Sequence, residues 1–540
     1  MGRGSILSGR GRATAAAVGA GALLTLLAAV IAVAPRVAVI AAVVMAAGVA
    51  LSRGERLARR ALEVVAVGAG VAAVLVAVAV HPATTLLAAL VLGILVLAWR
   101  APALALAAAV LLFEFEGSVK LLLGLDQTPL PGGNRAVGAA ALDIALFAAV
   151  AGVLVKDRFR IPRASWLSAS RPERIAIGVV GGWLALSLLQ IVQGGHVSRG
   201  LHGFRLFQSY TLIALATLTV FAHPRLRSAA VRGALAIALL VSLYAAVRVA
   251  IGPADAERTF ALSAPTVTTY GNTVRAIGSF SSAIGLSSFL TPVAVFALVL
   301  GFLMARVRLL AWSVALLALV GLIGSYSRTS LFGVGLGVAC GLVLLFVAAD
   351  IPRRRKLAAT ALVMVSVAGT YGGLLLASEG SPQLRERAKG VLHPLRDESV
   401  KLRFKTWRRS LDDAIHHPLG QGLGAVGGAS SPVRTRVRTT DNSFLKVLVE
   451  QGVLGLVLFA GGLLGVVVVL ARRLRRAAVD DRSVGLAALA GFVAFLGISF
   501  AGETVEQPGK TAAWGLLGVA AALAFADAGG GASPSNAEAA

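Results

Sequence analysis

Cysteine is almost missing from this chain: Cys340 is the only one in 540 residues. That excludes an intrachain disulfide and any thiolate metal cluster. Inside its apolar run, Cys340 reads as a small core residue. Charge is scarce as well, at 14% of residues in a chain that is 57% hydrophobic with mean hydropathy +0.84. A soluble globular protein of this length carries more. Acidic residues are the scarcest charges, 25 against 51 Lys and Arg, for a net charge of +26. There is also no P-loop, no Gly-x-Ser-x-Gly and no His-Glu-x-x-His, the patterns of soluble nucleotide, esterase and zinc-protease sites. The basic connections are too short to hold a nucleotide domain, so any chemistry here proceeds without bound ATP.

What the chain has in abundance is apolar runs of bilayer-crossing length, roughly 17–25 residues. The expected fold is all-α, a polytopic transmembrane helix bundle of about 12–16 spans with one large extracytoplasmic loop. A β-barrel would show short alternating strands instead. Expected spans fall near 13–34, 37–51, 63–80, 83–98, 101–113, 137–155, 175–192, 206–221, 230–250, 283–304, 309–325, 330–348, 357–377, 444–470, 484–500 and 511–526. The first follows Arg3, Arg10 and Arg12 and ends in Ala32-Val33-Ala34, which mimics a signal-peptide cleavage site. More apolar runs follow directly, so it is read as an uncleaved span.

The basic residues gather in alternate connections, among them 53–60, 156–174, 225–227, 306–308, 353–356 and 472–476. This is the positive-inside pattern. It places these connections and both termini in the cytoplasm, and it argues against nucleic acid as the reason for the charge. The other face then holds 114–136, 193–205, 251–282, 326–329, 378–443 and 501–510. Segment 378–443 is the longest and carries twelve Lys/Arg against seven Asp/Glu. A basic outer segment runs against the charge bias, and an anionic ligand at the outer membrane surface would account for it. A solvated loop with incidental charge is the plainer account. The expected organisation is 1–194, N-terminal spans without a recognised motif; 195–377, further spans; 378–443, the outer loop; 444–526, C-terminal spans; and 527–540, a disordered tail.

Most candidate chemistry lies between Lys401 and Gly455. Thr440-Asp441-Asn442-Ser443 stands directly before an apolar helix. Those residue types cap helices, and the same helix end could cradle a phosphate. Glu450 lies within the apolar run, where a carboxylate is costly and marks either function or a bond to a neighbouring helix. Upstream, Lys401, Arg403, Lys405, Arg408 and Arg409 surround Trp407. Arg403 and Trp407 are four residues apart and share a helical face, and the planar fork of arginine suits phosphate. Arg275 and Arg328 stand at the outer ends of spans, either as boundary charges or as ligand contacts. His416-His417 lacks a third ligand at useful spacing, so no metal is expected.

In order, the chain shows Arg-x-x-Gly-x-Phe (Arg275 to Phe280), Ser327-Arg328, and Arg-x-x-x-Trp (Arg403 to Trp407). Pro-Leu-Gly-x-Gly-x-Gly (Pro418 to Gly424), Asp-Asn-x-Phe-Leu (Asp441 to Leu445) and Glu-x-Gly-x-x-Gly (Glu450 to Gly455) follow. This series resembles the O-antigen ligase and polysaccharide polymerase family, whose shared domain would cover about 195–500. The resemblance implies a metal-independent, inverting membrane glycosyltransferase without cofactor, working at the outer face of the cytoplasmic (inner) membrane. Its donor would be a glycan on undecaprenyl pyrophosphate and its acceptor a hydroxyl. It implies that Arg275, Arg328 and Arg403 hold phosphate and that Asp441 takes the base position, with Trp407, Asn442 and Glu450 as further substrate-binding candidates. Lipopolysaccharide ligases of the family carry His at the base position, whereas many polymerase-like relatives carry Asp. A carboxylate beside a helix N-terminus is a weak base, suited to a concerted step or to orienting the acceptor hydroxyl. The alternative is a transporter or flippase of lipid-linked saccharides. That reading asks for charge near mid-membrane and broken helices in paired halves, and here the charge gathers at one face.

Overall fold

The structure, a computed structural model, describes residues 82–122, 134–193, 195–262, 269–270, 273–348, 398–430 and 438–526. The expected spans at 13–34, 37–51, 63–80 and 357–377 and the expected tail at 527–540 lie outside the described residues. The chain divides into two compact units, 1–96 and 97–540. Of the first, only the start of helix α1 (Pro82–Arg100) is described.

The second unit is a helix bundle, and it begins with α2 (Pro102–Glu114), α3 (Glu116–Leu122), α4 (Asn134–Asp157) and α5 (Arg160–Ser168). Then come α6 (Arg171–Gln190), α7 (Val197–Leu206), α8 (Thr211–Ala222), α9 (Pro224–Ile251) and α10 (Asp255–Leu262). They are followed by α11 (Ala283–Leu303), α12 (Arg308–Gly324), α13 (Arg328–Ala348), α14 (Glu398–His416), α15 (Ser443–Leu474), α16 (Val479–Phe500) and α17 (Lys510–Ala524). Among the described residues the only strands are a two-residue pair, with Thr269 opposite Val274 and Tyr270 opposite Thr273. Among the described residues, eight helical segments are long and apolar enough to cross a membrane: 171–190, 197–222, 224–251, 283–303, 305–324, 328–346, 443–474 and 479–500. The chain is a polytopic α-helical bundle. Two connections that read as loops in the sequence contain helix. Segment 193–205 is mostly α7, and 378–443 contains the nineteen-residue helix α14.

Helices α11 and α16 form the centre and are buried along most of their length, while α6 lies at the periphery. Close packing around the centre depends on small residues, as membrane helix contacts do. A Cβ on Gly337 of α13 would sit 2.4 Å from the Cβ of Ala494 on α16.

The two ends of the bundle differ. At one end, surface ion pairs tie helices together: Arg473 to Glu173 at 2.8 Å, Arg227 to Asp481 at 2.6 Å and Arg306 to Asp480 at 3.7 Å. The Arg473 guanidinium also lies 4.1 Å from the Phe525 ring centre, and Lys156 reaches the Arg100 carbonyl at 3.0 Å. The described basic connections thus collect at one end, as their alternation predicts. The candidate residues lie at the other.

Candidate functional site

Helix α15 is broken. Gly452 has φ +70° and ψ −172°, a conformation that only glycine adopts without strain. Phe444 and Phe459 are fifteen residues apart, roughly 22 Å along a straight helix. Their ring centres are 5.4 Å apart, so the helix bends sharply between them. Residues 453–474 rise roughly 33 Å, enough to cross the bilayer core alone. The preceding half, Ser443–Gln451, therefore folds across the end of the bundle. Trp183 and Phe207 complete the aromatic cluster on which it rests.

The glycine-rich stretch after Pro418 repairs the break. The N–H groups of Gln421 and Gly422 donate to the carbonyls of Val449 and Glu450, each at 2.9 Å, and the Val453 N–H donates to the Pro418 carbonyl at 3.1 Å. Backbone groups freed by a break at membrane depth need such partners. Contact is so close that a Cβ on Gly420 would lie 2.4 Å from the Glu450 carbonyl oxygen. Two sequence motifs, Pro-Leu-Gly-x-Gly-x-Gly and Glu-x-Gly-x-x-Gly, are the two sides of this one joint.

The folded-over half begins at Asn442, whose Oδ1 accepts from the N–H of Phe444 at 2.8 Å and of Leu445 at 3.1 Å. Of the two readings of this tetrad, the cap is realised, and these two N–H groups are not open to a phosphate. Asp441 precedes the cap with φ +49°, strained for a non-glycine residue. Hydrogen bonds of three residues hold the turn there. Trp407 Nε1 on α14 donates to its carbonyl at 3.4 Å. Thr440 donates its N–H and its hydroxyl to Glu503 Oε1. Ser443 Oγ donates to the Gly502 carbonyl at 2.9 Å and accepts from the Thr504 N–H at 3.2 Å. Burial pushes the Glu503 carboxyl up to about 7; nearby Glu506 adds to the rise, while Lys446 and the Thr440 bonds oppose it.

Below the turn lies a buried ion cluster. Lys446, 1% exposed, reaches Glu450 Oε1 at 2.5 Å, Glu506 Oε1 at 2.9 Å and the Val426 carbonyl at 2.7 Å. Glu506 also accepts from the Gly428 N–H at 2.6 Å. The charged row continues across the bundle. Lys510 stands 3.8 Å from the Tyr210 ring centre, the Tyr210 hydroxyl donates to Asp143 at 2.6 Å, and Asp143 pairs with Arg205 at 2.8 Å. Buried charges persist only when paired and hydrogen-bonded in this way.

The arginines stand around the same end. Arg275 donates through Nε to the Ser325 carbonyl at 2.7 Å, joining the turn that leads to Arg328, the first residue of α13. Arg275 and Arg328 thus share one corner. Arg403 lies on α14 one turn before Trp407. The Trp407 ring is 5.8 Å from that of Phe500 at the end of α16, and α13 packs along α16 beneath. Glu450 belongs to the buried cluster rather than to the turn. Among the described residues no group of three or more His, Cys, Asp or Glu is arranged to hold a metal.

Residues 313–460 match the family model described as O-antigen ligase. That stretch, about a quarter of the chain, is similar to the O-antigen ligase family. No curated protein matches the chain. The ligase match covers Arg328, Arg403, Trp407, Asp441, Asn442 and Glu450; Arg275 precedes it, and Glu503 and Glu506 follow it. It is narrower than the 195–500 that the motif order suggests. Sequence reasoning missed Lys446, Glu503, Glu506 and Lys510 in and around the candidate site. Two signals pointed to the first three: Lys446 stands four residues before Glu450 inside an apolar run, and two carboxylates occur within four residues of a short connection in an acid-poor chain.

Proposed function

We propose that this membrane protein transfers or polymerises a glycan from undecaprenyl pyrophosphate onto a hydroxyl acceptor, at the outer face of the inner membrane. The observation that carries the reading is the Thr440–Ser443 turn. It is pinned from α14 by Trp407 and from the 501–510 connection by Glu503, and it stands at the bundle end that also holds Arg275, Arg328 and Arg403. In this reading the arginines bind the donor's phosphates and stabilise the charge that grows on the leaving group, the kind of term that dominates many active sites. Asp441 orients the acceptor hydroxyl and takes up its proton as the new glycosidic bond forms. Inversion at the anomeric carbon follows from attack opposite the leaving pyrophosphate. Asn442 keeps its Nδ2 for the substrate, since the cap uses only Oδ1. The departing pyrophosphate supplies the driving force, so the scheme uses neither metal nor ATP.

The break in α15 bears on the transporter alternative. Transporters place broken helices near mid-membrane, whereas here a full bilayer-spanning length follows Gly452. The test is direct. Asp441→Ala and Arg403→Ala are expressed in cells, and surface glycan is resolved on a gel. Loss of long chains means polymerisation, and loss of attachment alone means ligation. Normal glycan in both variants rejects the site assignment. Purified protein given lipid-linked glycan in vesicles separates transfer from translocation.

A further inference from the structure

We propose that α14 is a lipid-contacting interfacial helix, seating its apolar stripe in the leaflet beside the candidate site and its basic sector on anionic phospholipid headgroups. On a wheel of about 100° per residue, Ser410, Ala414 and Trp407 face the protein, with Ser410 and Ala414 buried. Next to them, Phe404, Leu411 and Ile415 fall within about 40° of one another, and all three are exposed, Ile415 to 75%. Arg408, Lys401, Lys405 and Arg409 span roughly the next 100°, with Asp412 and His416 among them, and all six are exposed; the sector stays net positive. Exposed Leu402 falls outside the stripe. A protein-facing side, an apolar stripe and a basic sector in that order match a helix lying at a membrane surface.

Continuity names the occupant. The apolar stripe runs into Leu419, also 75% exposed. The Leu419 carbonyl accepts from Gln190 Nε2 at 3.2 Å, at the end of span α6, and Pro418 is bonded to Val453 at the break in α15. Leu189 on α6 and Val453 and Leu454 on α15 are exposed apolar residues of those spans. The stripe therefore extends the lipid-facing surface of two membrane helices onto α14. At the other end of the stripe, the Phe404 ring packs on Trp407 at 5.6 Å, and Trp407 meets Phe500 at the end of α16. The middle of α14 and the residues just after its C-terminal end are thus fixed to the ends of membrane spans. This inference is independent of the catalytic reading.

The experiment uses the full chain with Cys340→Ser and single cysteines at Leu411, Ile415, Lys405 and Arg409, each carrying a nitroxide label. The proteins are reconstituted in vesicles of phosphatidylcholine and phosphatidylglycerol. Collision of each label with apolar oxygen and with a water-soluble nickel chelate is then compared. The oxygen-to-nickel ratio is expected to be severalfold higher at 411 and 415 than at 405 and 409. It should fall at 415 when phosphatidylglycerol is left out. Equal ratios at all four positions would overturn the proposal, because the helix would then stand in water. Dipolar broadening between labels at 415 would overturn it in favour of a second copy covering the stripe. A ratio at 415 indifferent to phosphatidylglycerol would overturn the headgroup half.

Discussion

The two halves of α15 share one hydrophobic sequence run and have opposite surroundings. Residues 453–474 present Val453, Leu454, Val457 and Leu464 outward, exposed and apolar, as a lipid-facing span does. Residues 443–451 are enclosed by protein on nearly every side and carry Lys446 and Glu450. The second half is a span that packing neighbours steady from outside. The first is a structural platform whose own charges must be matched one by one. Hydropathy cannot separate them, because the platform's leucines and valines outweigh its two charges in any average. The difference teaches that burial by protein and burial by lipid impose opposite tolerances on the same residue types.

The largest test of that contrast is Lys446→Ala. It leaves Glu450 and Glu506 buried without their shared cation, which costs about 3–5 kcal/mol for a broken buried pair. A marked drop in the thermal unfolding midpoint in detergent is expected. Leu464→Ala in the lipid-facing half should change stability by no more than about 0.5 kcal/mol in the same assay. Similar losses from both would mean that the two halves are not in different environments. Lys446→Met combined with Glu450→Gln removes one charge of each sign and should recover part of the loss.

Next in size is a pair of identical substitutions with opposite expected signs. Gly452→Ala places a Cβ 2.2 Å from the Pro418 carbonyl oxygen on a backbone with φ +70°. Strain of that kind costs about 1–3 kcal/mol or forces the joint to open, so stability and glycan transfer should fall together. Gly461 lies in the regular half, and a Cβ there meets nothing within 4 Å. Gly461→Ala should stabilise by about 0.5–1 kcal/mol through helix propensity. A neutral Gly452→Ala would show that the bend is not required.

Much of this fold is legible in the sequence. Spans such as 283–304, 330–348 and 484–500 were placed within a few residues, because lipid imposes length and hydropathy together. Asp441, Asn442 and Trp407 stand out in the sequence because polar residues crowd there against an apolar background; that Trp407 reaches the Asp441 carbonyl is a finding of the structure. The bend at Gly452 was not readable. It depends on a partner loop thirty residues upstream whose N–H groups complete the freed carbonyls, and nothing in either motif states that the two meet. Glu503 was passed over for a related reason. Its role arises from two bonds to Thr440, a residue more than sixty positions away, and the short connection that carries it looks like an ordinary turn between spans. Long-range hydrogen bonds of single side chains leave no periodic trace.

The smallest effect concerns that same carboxylate, where the platform meets water. Glu503 has its carboxyl raised from 4.5 to about 7, chiefly by burial. Between those values the unfolded chain releases this proton while the folded protein keeps it. Its contribution to stability is therefore fully present below about pH 4.5 and is lost as pH rises through about 7. The turn itself survives the change. An ionised Glu503 accepts from the Thr440 hydroxyl; a protonated one can donate to it, and the Thr440 proton then turns to the Asn442 carbonyl 2.9 Å away. Glu503→Gln keeps a carbonyl oxygen for Thr440 and removes the titration. Unfolding midpoints between about pH 5 and about pH 8 should thus decline less in the variant than in the parent protein. Equal slopes would mean that Glu503 titrates as it does in water, and that the platform's edge is wetter than its hydrogen bonds imply.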